Sequence, residues 1–225
     1  MKFTHLAASV AAVTVAGVLG STASAAVIVA SDTGRINAAT AAEAGDPSTE
    51  GRAMRTGTTA TNVVFEGFMT FNTSSYTDPL GSALLTLEVF AKTGNPGSVN
   101  VYAISSSLGF NSFIDTAGER SVLVSPSTQT LVGTIADPVP GIYNFDVTSW
   151  VTYERNASNS IMGFVLEHSN ITLNSAVDLV EVYDHLNEPV SATRPQLTLE
   201  APIPEPTSLA LMCLSGLFLR RRARA

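Results

Sequence analysis

Side chains able to do acid–base or nucleophilic chemistry are scarce in this chain, and that scarcity bounds what it can do. The 225 residues hold three histidines and one cysteine. Cys213 falls in a C-terminal apolar run and His5 in an N-terminal one, so only His168 and His185 belong to the body of the chain. Cysteine–histidine chemistry is thereby excluded, and a serine triad would have to rest on one of two imidazoles. The densest polar cluster is Asp184-His185 with Glu181 and Glu188. Such a set could ligate a metal or exchange protons, and it equally suits a solvated loop. Glu167-His168 is a thinner version of the same pairing. No two carboxylates stand at a spacing that suggests glycoside hydrolysis, although that geometry forms in space rather than along the chain. Asp32, Glu43 and Asp46 could clamp calcium near the N-terminus. Tyr76, Tyr102, Phe110, Trp150 and Tyr153 could stack on sugar rings, while Trp150 also suits the core.

The two ends read as addresses rather than as fold. Lys2 precedes the apolar stretch Leu6–Leu19, and Ala23-Ser24-Ala25 supplies the small-x-small pattern of a signal-peptidase site. Cleavage there leaves Ala26 as the new N-terminus, so residues 1–25 are expected to be a signal peptide. At the other end, Pro204-Glu205-Pro206 is followed by the apolar run Leu209–Leu219 and then Arg220-Arg221-Arg222-Ala223-Arg224. Proline keeps the backbone extended ahead of the run, and the arginines would stay on the cytoplasmic side of a membrane. About eleven apolar residues fall short of the roughly 20 that a permanent span needs, which suits transient anchoring. The arrangement resembles the PEP-CTERM sorting signal of Gram-negative, biofilm-forming bacteria. The resemblance implies recognition by an exosortase at the Pro-Glu-Pro, transient anchoring in the inner membrane, and delivery to the cell surface or extracellular matrix. Residues 204–225 are accordingly expected to be a sorting signal.

Between these ends, residues 26–203 offer enough chain for one domain with a full core. The formal charge of −7 understates its acidity. Without Lys2, the four tail arginines and Glu205, 7 cations face 18 anions, a balance of −11. Such a surface repels phosphate backbones, so nucleic acid is excluded as a partner. No cysteine remains for a disulfide, leaving the core, helped by any Ca2+ the acidic surface recruits, to hold the domain.

Periodicity along the domain is mostly two. Leu85, Leu87 and Val89 alternate with Thr86, Glu88 and Phe90; Val99, Val101 and Ala103 with Asn100, Tyr102 and Ile104; Tyr143, Phe145 and Val147 with Asn144, Asp146 and Thr148. Further strands are predicted over Val63–Phe71, Gln129–Ile135, Ile161–Glu167, Ala176–Tyr183 and Gln196–Glu200, separated by turns such as Gly94-Asn95-Pro96-Gly97. Either Asp146 or Thr148 can cap a short helical turn that carries Trp150 and Val151 back onto the core. Thr33–Thr61 and Leu108–Ser127 lack apolar alternation and read as surface loops. The sum is an all-β fold, a single antiparallel β-sandwich of jelly-roll type.

Within that body, Gly67-Phe68-Met69-Thr70-Phe71, Ala83-Leu84-Leu85-Thr86-Leu87, Val99-Asn100-Val101-Tyr102, Phe145-Asp146-Val147-Thr148, Gly163-Phe164-Val165-Leu166 and Arg194-Pro195-Gln196-Leu197-Thr198-Leu199 follow one another in order. The series resembles the DNRLRE family of β-sandwich modules, some relatives of which are assigned as carbohydrate-binding. Leu108-Gly109-Phe110-Asn111 stands where that family has a Trp-Glu…Thr-Trp segment. Two classes of function follow. One is an exported, non-catalytic module that binds extracellular polysaccharide or contributes structure; the other is a small secreted polysaccharide lyase or hydrolase.

Overall fold

The computed structural model describes residues 24–37, 53–59, 63–110, 121–123, 125–169, 177–183 and 194–203. The chain divides into two units, Ala23–Pro202 and the terminal segments Met1–Thr22 with Ile203–Ala225; the description below concerns the first.

Among the described residues, strands run in the order β1 (Ala25–Val29), β2 (Asp32–Asn37), β3 (Ala53–Thr58), β4 (Val64–Asn72), β5 (Ser82–Thr93), β6 (Val99–Ser105), β7 (Gln129–Ile135), β8 (Gly141–Asp146), β9 (Ile161–His168), β10 (Asp178–Tyr183) and β11 (Gln196–Glu200), and the helix α1 (Thr148–Asn156) follows β8. Every pairing is antiparallel. One half of the sheet runs β1-β11-β5 with β8 on the other edge of β5, and the other half runs β2-β4-β9-β6-β7. β10 and β3 join the halves, β10 pairing with β5 and β3 with β4. The sheet curls so that its halves enclose one core, and the fold is an all-β sandwich.

The period-two runs fill that core as their spacing demands. Leu85, Leu87 and Val89 from one half, and Val99, Val101 and Ala103 from the other, are buried in a single cluster with Met69, Phe71, Phe164 and Leu166. The Phe71 and Phe164 rings meet edge-on at 5.9 Å. Gly133 on β7 leaves the space that the Phe145 ring of β8 occupies, since a Cβ there would overlap it. Gly94 and Gly97 sit in the left-handed region, as the predicted turn after β5 requires.

Two expectations need correction. The stretch Thr33–Thr61 is not simply a loop: it contributes β2 and β3, each carrying one large apolar anchor, Ile36 and Met54, both fully buried. Leu108–Ser127 is not simply surface either. Phe110 and Leu123 are buried against Ile36, Phe68, Ile104 and Val165 on the outward face of β2-β4-β9-β6, forming a second apolar cluster. Phe110 lies on Gly163, where any side chain would collide with its ring. β6 therefore buries both faces near its end, and strict alternation breaks at Ile104.

Candidate functional site

The first helix turn grows from the end of β8. Asp146 Oδ1 accepts the Thr148 amide proton at 2.9 Å, and the Thr148 hydroxyl accepts from the Ala83 amide on β5 at 2.9 Å. The residue in the capping position is Val147, whose side chain caps nothing, so Asp146 acts from one residue further out. Hydrogen bonding from the Thr148 side chain, and then from its amide, holds the Asp146 carboxyl below the usual carboxylate range. The helix stops where Ser158 takes a left-handed backbone and its amide returns to Arg155 O at 2.9 Å. One face of α1 buries Val151 and Glu154. On another, Arg155 lies over the Tyr76 ring at 4.9 Å and donates to the carbonyls of Tyr76 and Asp78, pinning that loop to the helix.

The remaining face presents two aromatic rings three residues apart. Trp150 and Tyr153 stack with centroids 5.9 Å apart and planes inclined by 29°. Trp150 is half-buried against the main core, whereas Tyr153 is 63% exposed. They form one wall of an open cleft of about 410 Å³. A 3₁₀ turn after β6, Ser106–Leu108, and another before β7, Pro126–Thr128, bring Ser105, Ser107, Leu108, Ser127, Thr128 and Thr130 to its other walls. The first turn is fixed from below: the Ser105 hydroxyl donates to Glu154 Oε2 at 2.9 Å, and Asn159 Nδ2 donates to the same oxygen at 2.8 Å. The second is fixed by Thr128 Oγ1, which bonds to the carbonyls of Val122 and Ser125. Trp150 Nε1 and Glu154 Oε1 are buried without a partner. The cleft thus joins an aromatic platform to a rim of hydroxyls, and none of its lining side chains among the described residues is charged.

The residues singled out from sequence scatter. Asp32 is buried at the start of β2 opposite Thr70, while Glu43 and Asp46 lie outside the described residues. Of the polar cluster, Glu181 is on β10 in an ion pair with Arg55 at 2.7 Å, and Asp184, His185 and Glu188 lie outside the described residues. Glu167 and His168 are neighbours on β9 and so project to opposite faces; His168 is buried. Tyr76 and Phe110 are buried too and Tyr102 is half-buried on β6, leaving Trp150 and Tyr153 as the candidate aromatics gathered at a cleft. Ala25 opens β1, whereas Ala23 and the tail from Pro204 to Arg222 are outside the described residues. Among the described residues no helix is long and apolar enough to cross a membrane, and no three His, Cys, Asp or Glu side chains converge as a metal group.

Sequence reasoning passed over one carboxylate pair. Gly67 faces Leu166 in the β4–β9 register, so one step along Glu66 faces Glu167. Glu66 is 7% exposed, and burial, with the Glu167 charge second, pushes its pKa up to about 8. Burial raises Glu167 as well. The available signal was an acid set between aromatics in an otherwise apolar strand, Phe65-Glu66-Gly67-Phe68.

Fold and cleft together define a class: an all-β sandwich with a surface cleft, walled by aromatic rings and hydroxyls, at one end of its strands. No family model matches the chain, and no curated protein does. Among solved structures it is similar to a carbohydrate-binding module (CBM6cm-2) of lichenase 5A from Cellvibrio mixtus, in complex with cellotriose, at 10% identity over 71% of this chain and 97% of that one, with a TM-score of 0.22. A likeness that loose carries no function across.

Proposed function

We propose that this protein is an exported, non-catalytic β-sandwich that binds glycan through the Trp150–Tyr153 cleft and is sorted to the cell envelope or extracellular matrix. The observation that carries the reading is the stacked ring pair facing serine and threonine hydroxyls across one cleft. A pyranose has an apolar face for a ring to cover and hydroxyls at its edge for other hydroxyls to bond, so it fits both walls at once. The domain has a balance of −11, which favours an uncharged polysaccharide over an anionic one. The described lining is made of hydroxyl and aromatic side chains, which suits the binding of a glycan. Export rests on the sequence signals at the two ends, with signal peptidase and exosortase as processing partners.

Affinity gels cast with neutral and with anionic polysaccharides test this reading, run beside an assay for reducing-end or unsaturated products. Retardation by a neutral glycan without product is expected. Product release would instead favour the secreted enzyme, and no retardation by any glycan would remove the binding reading.

A further inference from the structure

The outward face of β2-β4-β9-β6-β7 carries a straight cross-strand row. Ile36 pairs with Glu66, Glu66 continues the register to Glu167, Glu167 pairs with Asn100, and Asn100 pairs with Thr134. Side chains directly opposite on antiparallel strands have Cβ atoms about 4.5–5.5 Å apart, so the two carboxyl groups share one space. Like charges placed so are destabilising, and a buried carboxylate that accepts no hydrogen bond costs more. Glu66 is more than nine-tenths buried, and its Oε2 accepts nothing. The cations of the neighbouring strands are committed elsewhere: Arg35 pairs with Gly67 and so leaves the opposite face of β2, lying over the Phe65 ring at 4.7 Å, and Arg55 holds Glu181. Asn100 is braced rather than free to compensate, accepting from Thr134 Oγ1 at 2.9 Å and reaching Tyr102 OH at 3.4 Å through Nδ2. Glu167, Asn100 and Tyr102 are only half-buried, so one side of the row is open to solvent.

We infer that the Glu66–Glu167 pair is a binding site for a hard divalent cation of the calcium class. An ion between the two carboxyl groups takes the place of the proton that burial otherwise keeps on Glu66, which is released to water, and gives Glu66 Oε2 a partner. The donors are all oxygen, with no imidazole or thiolate in the row, which selects calcium or magnesium over zinc or copper. Calcium tolerates an irregular set completed by water from the open side, whereas magnesium demands near-ideal octahedral geometry. Two carboxylates make a weak site, with Kd expected at about 0.1–1 mM, in the range of extracellular modules. The pair shares no residue with the candidate set Asp32, Glu43 and Asp46 or with the described lining of the glycan cleft.

Calorimetric titration of the full chain with calcium chloride, and with magnesium chloride as comparison, tests the inference. Wild type should give saturable heat with calcium, at least about tenfold weaker with magnesium. Glu66→Gln and Glu167→Gln should each weaken calcium by about tenfold or more. Circular dichroism and the melting profile confirm that both variants fold, and a Glu167→Asp variant, which keeps the charge at the more exposed position, should recover much of the binding. A wild type that takes up no calcium would overturn the inference, leaving Glu66 a buried acid that holds only a proton. Calcium binding that survives in both glutamine variants would overturn it equally, by placing the ion elsewhere.

Discussion

Tyr153 and Trp150 differ as probes because their burial differs. Tyr153 is mostly exposed, so Tyr153→Ala should leave the melting temperature nearly unchanged while weakening glycan retention by about tenfold, the equivalent of about 1.4 kcal/mol. Trp150→Ala should lose binding and stability together, because that ring also rests on the core. Glu66 supplies a pH signature. Its folded pKa of about 8 stands above the ordinary value of 4.5, so the folded state holds a proton that the unfolded chain releases. The group's contribution is therefore complete below about pH 4.5 and is lost as pH rises toward about 8. Measured by urea unfolding in chelator, Glu66→Gln should gain on wild type between pH 5 and pH 8.5, at up to about 1.4 kcal/mol per pH unit. A constant gap between the two proteins would contradict this. Neither site was legible as a site in the sequence. Trp150 and Tyr153 were visible as stacking candidates, but their partners Ser105, Ser107 and Thr130 reach the cleft from two other strand ends. Glu66 and Glu167 lie 101 positions apart in the sequence, and only strand register places them side by side.

Among the elements, the strands with period-two spacing were the most legible, because alternation reports a half-buried face directly. Gln129–Ile135 and Gln196–Glu200 run as their spacing predicts, and Leu87 points inward while Glu88 does not. Leu87→Ala should cost about 2–5 kcal/mol and Glu88→Ala little, by chemical denaturation. β2 and β3 were illegible for the opposite reason. Asp-Thr-Gly-Arg-Ile-Asn and Ala-Met-Arg-Thr-Gly-Thr each carry a single large apolar residue, and they are strands because β4 and β10 offer them edges to pair with. The helix follows different rules: it is held by Thr148, which ties its first turn to β5. Thr148→Val should cost about 1 kcal/mol by removing that acceptor, and should weaken glycan binding as well, since α1 carries both rings. Binding left intact in a variant destabilised to that extent would separate the helix anchor from the cleft.

At the scale of the whole molecule, an acidic sandwich without a disulfide is held by one core shared between two sheet halves, with a second cluster packing Phe110 and Leu123 on one outer face. Its surface charge would keep it apart from anionic polymers, and an uncharged glycan avoids that repulsion. The sorting reading makes its own claim: protein recovered from the cell surface should begin near Ala26 and end near Pro206, and an intact mass that still includes Arg220–Arg224 would contradict it. The central claim, however, is where glycan binds, and the chain carries a single tryptophan that reports on that place alone. Trp150 emission, titrated with a neutral glycan that retards the protein in a gel, should shift to shorter wavelength and saturate as the ring is covered. A glycan that retards the protein fully while leaving Trp150 emission unchanged would contradict the account.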